Sequence, residues 1–237
     1  MTTRVDEIAD GIYRISTPIP PSAMPGGFTF NQFLIADDAP LLFHTGMRRP
    51  FAATRDAIAR VLPPENLRYI ASSHFEPDEC GALNELLTLA PHAEPICSRI
   101  GALVFMGDYA DRPARGLAHG ERLELGRHTV EWLDAPHVPH GWDCGYMNEL
   151  STRTLFCGDL FTQGGTEHPP VTSGDVLEPS EAFRHPMDYY AHARDTAAVL
   201  ERLAATAPAT LACMHGASFA GDGAALLRAL SSRLAGG

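Results

Sequence analysis

The stretch 73–80 reads S-H-F-E-P-D-E-C and sets four possible metal ligands, His74, Glu76, Asp78 and Glu79, close together in the chain. Pro77 biases Glu76 toward extended backbone and away from the following helix. Residues 74, 76 and 78 can then project from an irregular loop toward one centre. Three more candidates lie further on: His140 in P-H-V-P-H-G-W-D, Asp159 in C-G-D and His215 in C-M-H-G. Each ends an apolar run and adjoins a glycine, which would leave a ligand room to approach. Singly these signals are weak. A lone histidine after a strand is ordinarily capped or solvated, and Asp78 and Glu79 alone could complement a helix dipole. The set is what points to metal. Two divalent cations a few ångströms apart need a bridging carboxylate to offset their repulsion, a part suited to Asp159, with neutral imidazoles filling other positions. His74, Glu76 and His140 would hold one ion, Asp78 and His215 the other. So many carboxylates favour a hard ion such as iron, with zinc or manganese as alternatives.

The elements that must position these residues follow from apolar spacing. Residues 67–72 read as a strand, and 79–90 as a helix through Ala82, Leu83, Leu86, Leu87 and Ala90. The acidic loop thus joins a strand's C-terminal end to a helix N-terminus, where α/β sheets place their ligands. Further strands are expected at 11–17, 28–36, 41–44, 95–98, 128–133, 146–150, 154–157 and 209–214. Helices are expected at 50–61, 100–106, 189–204 and 222–234. Residues 107–126 read mostly as loop, and 164–186 as a long loop serving as lid, cap or oligomer contact. Strands followed by a helix, given twice, predict two sheets between outer helices within a single domain, 1–237.

Composition narrows the function classes. The net charge of −11 disfavours nucleic acid and anionic membrane as partners. There is no lysine, so Schiff-base and P-loop lysine chemistry is excluded. Five cysteines without framework spacing suggest free thiols in a reducing compartment. With no apolar leader and no window long enough to span a bilayer, a cytoplasmic location is expected. No Ser-His-Asp or Cys-His nucleophile pattern competes with the metal reading.

The series His74-Phe-Glu76-Pro-Asp78-Glu79, then His140, Gly158-Asp159 and His215-Gly216, resembles the metallo-β-lactamase superfamily. That superfamily's usual first motif is His-x-His-x-Asp-His. Glu76 in place of the second histidine resembles the flavodiiron and oxygen-binding diiron branch. Further matches are the H-V-P-H-G-W run at 137–142, F-H-T-G at 43–46 and M-H-G-A-S-F-A-G-D at 214–222. The resemblance covers nearly the whole chain. It implies an α/β fold, a metallo-β-lactamase-like αββα sandwich of two mixed sheets flanked by helices, with a non-haem diiron centre at one edge. Glu79 stands where the family usually has histidine, and is therefore a possible further ligand of the second iron. No flavodoxin module, and so no FMN, is expected on this chain. Electrons would come from a separate flavin or iron–sulfur donor. Family members commonly form dimers, so a homodimer is expected.

Three functions are compatible with such a site. The first is a diiron protein that binds and reduces O2 or NO. The second is an oxygen sensor without turnover. The third is a dinuclear hydrolase of an ester, lactone or phosphodiester, working through a metal-activated water. Glu76 argues against the third, because a carboxylate lowers the Lewis acidity of its metal. His44 and His137 are assigned to orienting ligands from behind, Trp142 and Tyr146 to walling the site, and the cysteines to buried packing.

Overall fold

The strand over Phe28–Ile35 is buried at all eight positions, including both faces of its pleat. Such a strand needs a layer on each side. Phe33 and Ile35 point into one apolar cluster and Leu34 into another. The computed structural model describes residues 2–236 and shows what those layers are.

One sheet holds β1 (Arg4–Ala9), β2 (Ile12–Ile19), β3 (Phe28–Ile35), β4 (Leu41–Phe43), β5 (Tyr69–Ala71), β6 (Glu94–Ser98) and β7 (Arg115–Leu117), in that spatial order. Its first four strands pair antiparallel and the rest join in parallel. The other is built from β8 (Arg122–Glu124), β9 (Thr129–Asp134), β10 (Gly145–Glu149), β11 (Thr154–Phe156), β12 (Val171–Thr172), β13 (Thr210–Ala212) and β14 (Ser218–Ala220). Its order is β12-β14-β13-β11-β10-β9-β8, with parallel pairs at β11/β13 and β12/β14. Between the sheets lies a core that draws on both, with Phe33, Phe43, Trp132 and Phe156 among its largest members.

Helices cover the outer faces. On the first sheet these are α1 (Phe51–Ile58), α2 (Pro77–Cys80), α3 (Leu83–Leu89) and the run from α4 (Arg99–Gly101) to α5 (Gly107–Tyr109), joined by a π-helical turn over Ala102–Met106. On the second they are α6 (Leu177–Met187), α7 (Thr196–Ala205) and α8 (Gly223–Ala235). The architecture is an αββα sandwich with two mixed sheets, as the resemblance implies.

Several elements depart from the sequence-based expectation. β7 and β8 lie within the stretch read as loop; at three residues each they are too short to show a period, yet they close one edge of each sheet. The stretch 164–186 contains β12 and most of α6. Asp175 Oδ1 accepts the amide protons of Leu177 and Glu178, capping α6. Pro179 falls in its first turn, where no intrahelical donor is needed. The helix expected from residue 189 begins only at Thr196. Residues before it are tied to the site instead, with Asp188 and His192 in the left-handed region. The helix expected over 79–90 is split, and α2 starts earlier, at Pro77.

Candidate metal centre

The candidate ligands sit where strands of both sheets end along one edge. β5 leads into Ser73-His74, and Glu76, extended at φ −137° and ψ 160°, precedes α2. α2 carries Asp78 and Glu79 in its first turn. β9 leads to His140, β11 to Asp159 and β13 to His215. The neighbouring glycines serve the turns rather than ligand approach. Gly158 has φ +48° and Gly216 φ +91°, and a Cβ at 216 would lie 2.6 Å from the Gln163 side chain.

Folding brings the candidates into two adjoining groups, His74–Glu76–His140–Asp159 and Asp78–Glu79–His215, with donor atoms within 4.8 Å of one another in each. His140 Nε2 lies 3.1 Å from Glu76 Oε1 and 3.3 Å from Asp159 Oδ2. His74 Nε2 is 3.5 Å from the same Asp159 oxygen and 3.8 Å from Glu76. The other Asp159 oxygen, Oδ1, faces His215 Nε2 at 3.2 Å, and Asp78 Oδ2 is 3.5 Å from that nitrogen. One carboxylate therefore divides its two oxygens between the two groups.

The far side of each imidazole determines which nitrogen is free. His140 Nδ1 lies 3.0 Å from the Tyr189 carbonyl and His215 Nδ1 2.8 Å from the Thr29 carbonyl. A carbonyl only accepts, so each Nδ1 carries a proton, and Nε2 is the nitrogen that faces the centre and would offer its lone pair to a metal ion. For His74 the logic runs through three residues. His44 is fully buried, and burial brings its pKa down to about 3, so the ring is neutral. Its Nδ1 faces the Met214 sulfur at 2.9 Å, an acceptor only, so Nδ1 holds the proton. His44 Nε2 then accepts from Ser73 Oγ at 2.9 Å, and Ser73 Oγ accepts from His74 Nδ1 at 2.9 Å. His74 Nε2 is thereby turned to the centre, 3.0 Å from His140 Nε2.

Imidazole nitrogens and carboxylate oxygens thus converge on one space. Asp159 Oδ1 and both Glu79 oxygens are buried without a hydrogen-bond partner. Burial, then the charges of Asp159 and Asp78, hold the Glu79 carboxyl well above the usual range. Burial lowers the His140 pKa, but Asp159 and Glu76 outweigh it and push it up to about 10. The histidines beside Glu76 draw its carboxyl down to about 2. The carboxylates that hold a proton on His140 would hold a metal cation in its place, and the N/O donor set fits the ions expected for it.

Around the centre, Phe28 stacks on His215 at 4.3 Å between ring centroids, Phe30 meets that ring edge-on, and Phe183 of α6 stacks on Phe28. The Tyr189 hydroxyl donates to the Asp159 carbonyl. Two supporting expectations change. His137 is solvent-exposed at φ 62°, and only its backbone amide is engaged, with Gly141, so it does not orient a ligand. Tyr146 is fully buried and donates to the Val138 carbonyl, bracing the turn before His140 from behind rather than walling a pocket. Trp142 is half exposed against Phe105. All five cysteines are free and buried. Ser73 was not legible as functional, because a serine beside a ligand carries no signal until its contacts are known.

Fold and site together define a metallo-β-lactamase-like sandwich with a two-part cluster of candidate metal ligands. Residues 28–216 match the model of the ODP family of beta lactamases, and the chain belongs to that family, on the flavodiiron branch. It is similar to "Putative diflavin flavoprotein A 1" of Thermosynechococcus vestitus, at 30% identity over 199 residues covering 82% of this chain and 34% of that protein. It is also similar to rubredoxin-oxygen oxidoreductase of Megalodesulfovibrio gigas, at 28% over 208 residues covering 83% of this chain and 50% of that one. A flavo di-iron protein of Thermotoga maritima shares the fold, with a TM-score of 0.85 at 20% identity covering 99% of this chain and 62% of that structure. The chain thus spans between a third and a half of the length of these two relatives.

Proposed function

We propose that the chain is a non-haem diiron oxidoreductase that binds O2 or NO and reduces it with electrons from an external flavin or iron–sulfur donor. The observation that carries this reading is Asp159, which turns one oxygen to His74 and His140 and the other to His215. His74, Glu76, His140 and Asp159 would hold one ion, and Asp159, Asp78 and His215 the other, with Glu79 as a further ligand. Two ferrous ions bound there would supply electrons and open coordination positions for the gas. Relatives whose names denote a rubredoxin-oxygen oxidoreductase and a diflavin flavoprotein support the same chemistry.

The chain's own residues have distinct parts in it. The Ser73–His44–Met214 chain keeps the proton on His74 Nδ1, and the Tyr189 and Thr29 carbonyls keep it on His140 and His215. Phe28, Phe30 and Phe183 limit water on the His215 side. Among the described residues no helix is long and apolar enough to cross a membrane. A homodimer in the cytoplasm, loaded with iron and reduced by a separate donor, completes the reading.

Anaerobic reconstitution with ferrous iron is the test. A pair of ions per chain, and a visible absorption change on admitting O2 that is lost in Asp159→Ala, is the expected result. A chain that takes up no iron, or whose colourless zinc form alone turns over phosphodiesters or lactones, would defeat the reading.

A further inference from the structure

The layer between the two sheets is apolar over most of its area, but beside the His215 loop it holds a buried cation. Arg14, in β2, is 0% exposed. Burial and the neighbouring Arg4 bring its pKa down to about 10, so it remains charged at neutral pH. Its Nη2 donates to the carbonyl of Gly216 at 2.7 Å, while Nε and Nη1 have no protein partner. Asn31, on the adjacent β3, donates through Nδ2 to the same carbonyl at 3.0 Å and to that of Cys213 at 2.9 Å. Thr29 completes the grip: its hydroxyl accepts from the Gly216 amide and its carbonyl from His215 Nδ1. The first sheet therefore holds the backbone on both sides of His215, a residue of the second.

Arg14 stands opposite Asp6 in the β1–β2 ladder, and Ser16 opposite Asn31 in the next. Asp6 Oδ2, Ser16 Oγ, Asn31 Oδ1 and Ser218 Oγ are buried and unpartnered, like the two free nitrogens of Arg14. Burying an arginine is costly, and among the described residues the one hydrogen bond its side chain makes goes to the residue after a candidate ligand.

We infer that Arg14 and Asn31 are positioning residues for the second metal position, fixing the Gly216 carbonyl so that His215 faces Asp159 and Asp78. This rests on the dinuclear reading above. A plain rivet between the sheets would weaken both ions together, or neither. A positioning role weakens only the ion held by Asp78, Glu79 and His215.

The experiment is titration of metal-free protein with cobalt(II), followed by visible absorption and elemental analysis, for the wild type and for Arg14→Met, Arg14→Lys and Asn31→Ala. Two uptake steps are expected in the wild type. In Arg14→Met the first should be unchanged and the second weaker by about 10-fold or more, the usual scale for losing a ligand's outer support. Arg14→Lys, which keeps a donor for Gly216, should recover most of that loss. Asn31→Ala applies the same test should Arg14→Met not fold. Two intact steps in a folded variant, or equal weakening of both, would overturn this inference alone. A wild type that binds a single ion would overturn the dinuclear reading and this inference with it.

Discussion

A carboxylate whose two oxygens face different histidines is placed so that each oxygen could meet a cation of its own. Asp159 is buried, and the rings of His140 and His215 outweigh the cost of burial and hold its carboxyl well below the usual range. Its neighbours make the residue-scale predictions. Ser73 touches no proposed ion yet sets the ring of His74, so Ser73→Ala should weaken the first ion by about 10- to 100-fold. The second ion should be unaffected; equal binding of both in a competitive metal titration would refute this. Glu79 behaves in the opposite sense toward stability and toward metal. Its pKa is raised on folding, so the stability tied to its proton is present below the unfolded value and is lost as pH rises through the folded one. Glu79→Gln should therefore stabilise the metal-free chain at neutral pH while weakening the second ion. Chemical denaturation with and without metal measures both, and a variant destabilised in the metal-free form would contradict it.

At the scale of elements, the long strands and the terminal helix were legible because each repeats an apolar period over several turns or pleats. β7 and β8 were not, since three residues carry no period and their pairing partners lie elsewhere in the chain. α6 was hidden by its two prolines and the Pro- and Gly-rich stretch before it, although Asp175 accepts the first two amides of the helix. That cap makes a prediction, because α6 lays Phe183 on Phe28 and so on His215. Asp175→Ala should cost about 1 kcal/mol of stability, read as a lower denaturation midpoint. It should also raise the solvent exchange of amides in 177–187, and an unchanged midpoint would show that packing alone holds the helix. The stretch before α7 shows the reverse case. Apolar spacing there suggested helix, but the Tyr189 carbonyl is taken by His140, and tertiary contacts override the local preference.

The whole molecule is tied across its two sheets at the edge away from the metal cluster as well. Asp37, after β3, accepts from the His128 backbone amide and ring and from the Arg127 and Asp38 amides. Burial raises its pKa, but these donors outweigh that and bring it to about 2. A carboxylate depressed on folding contributes stability above its unfolded pKa and loses it as pH falls through the folded one. The stability gap between wild type and Asp37→Asn should therefore be full near neutrality and shrink between about pH 4 and pH 2. A gap that does not change with pH would show that the pair contributes nothing through charge.

What the sequence determined by itself was the set of candidate ligands, the family and the layered fold. Ligand type is written in single residues, and the ends of periodic segments say where those residues emerge. Glu76, Asp159 and His215 could be nominated in that way, each from its own few neighbours. How the two oxygens of Asp159 are shared, which nitrogen of His74 is free, why His137 stands outside and what Arg14 holds were decided only when the sheets met. Those are distances between residues remote in the chain. Local propensity carries no information about such distances; the packing of one sheet on the other does.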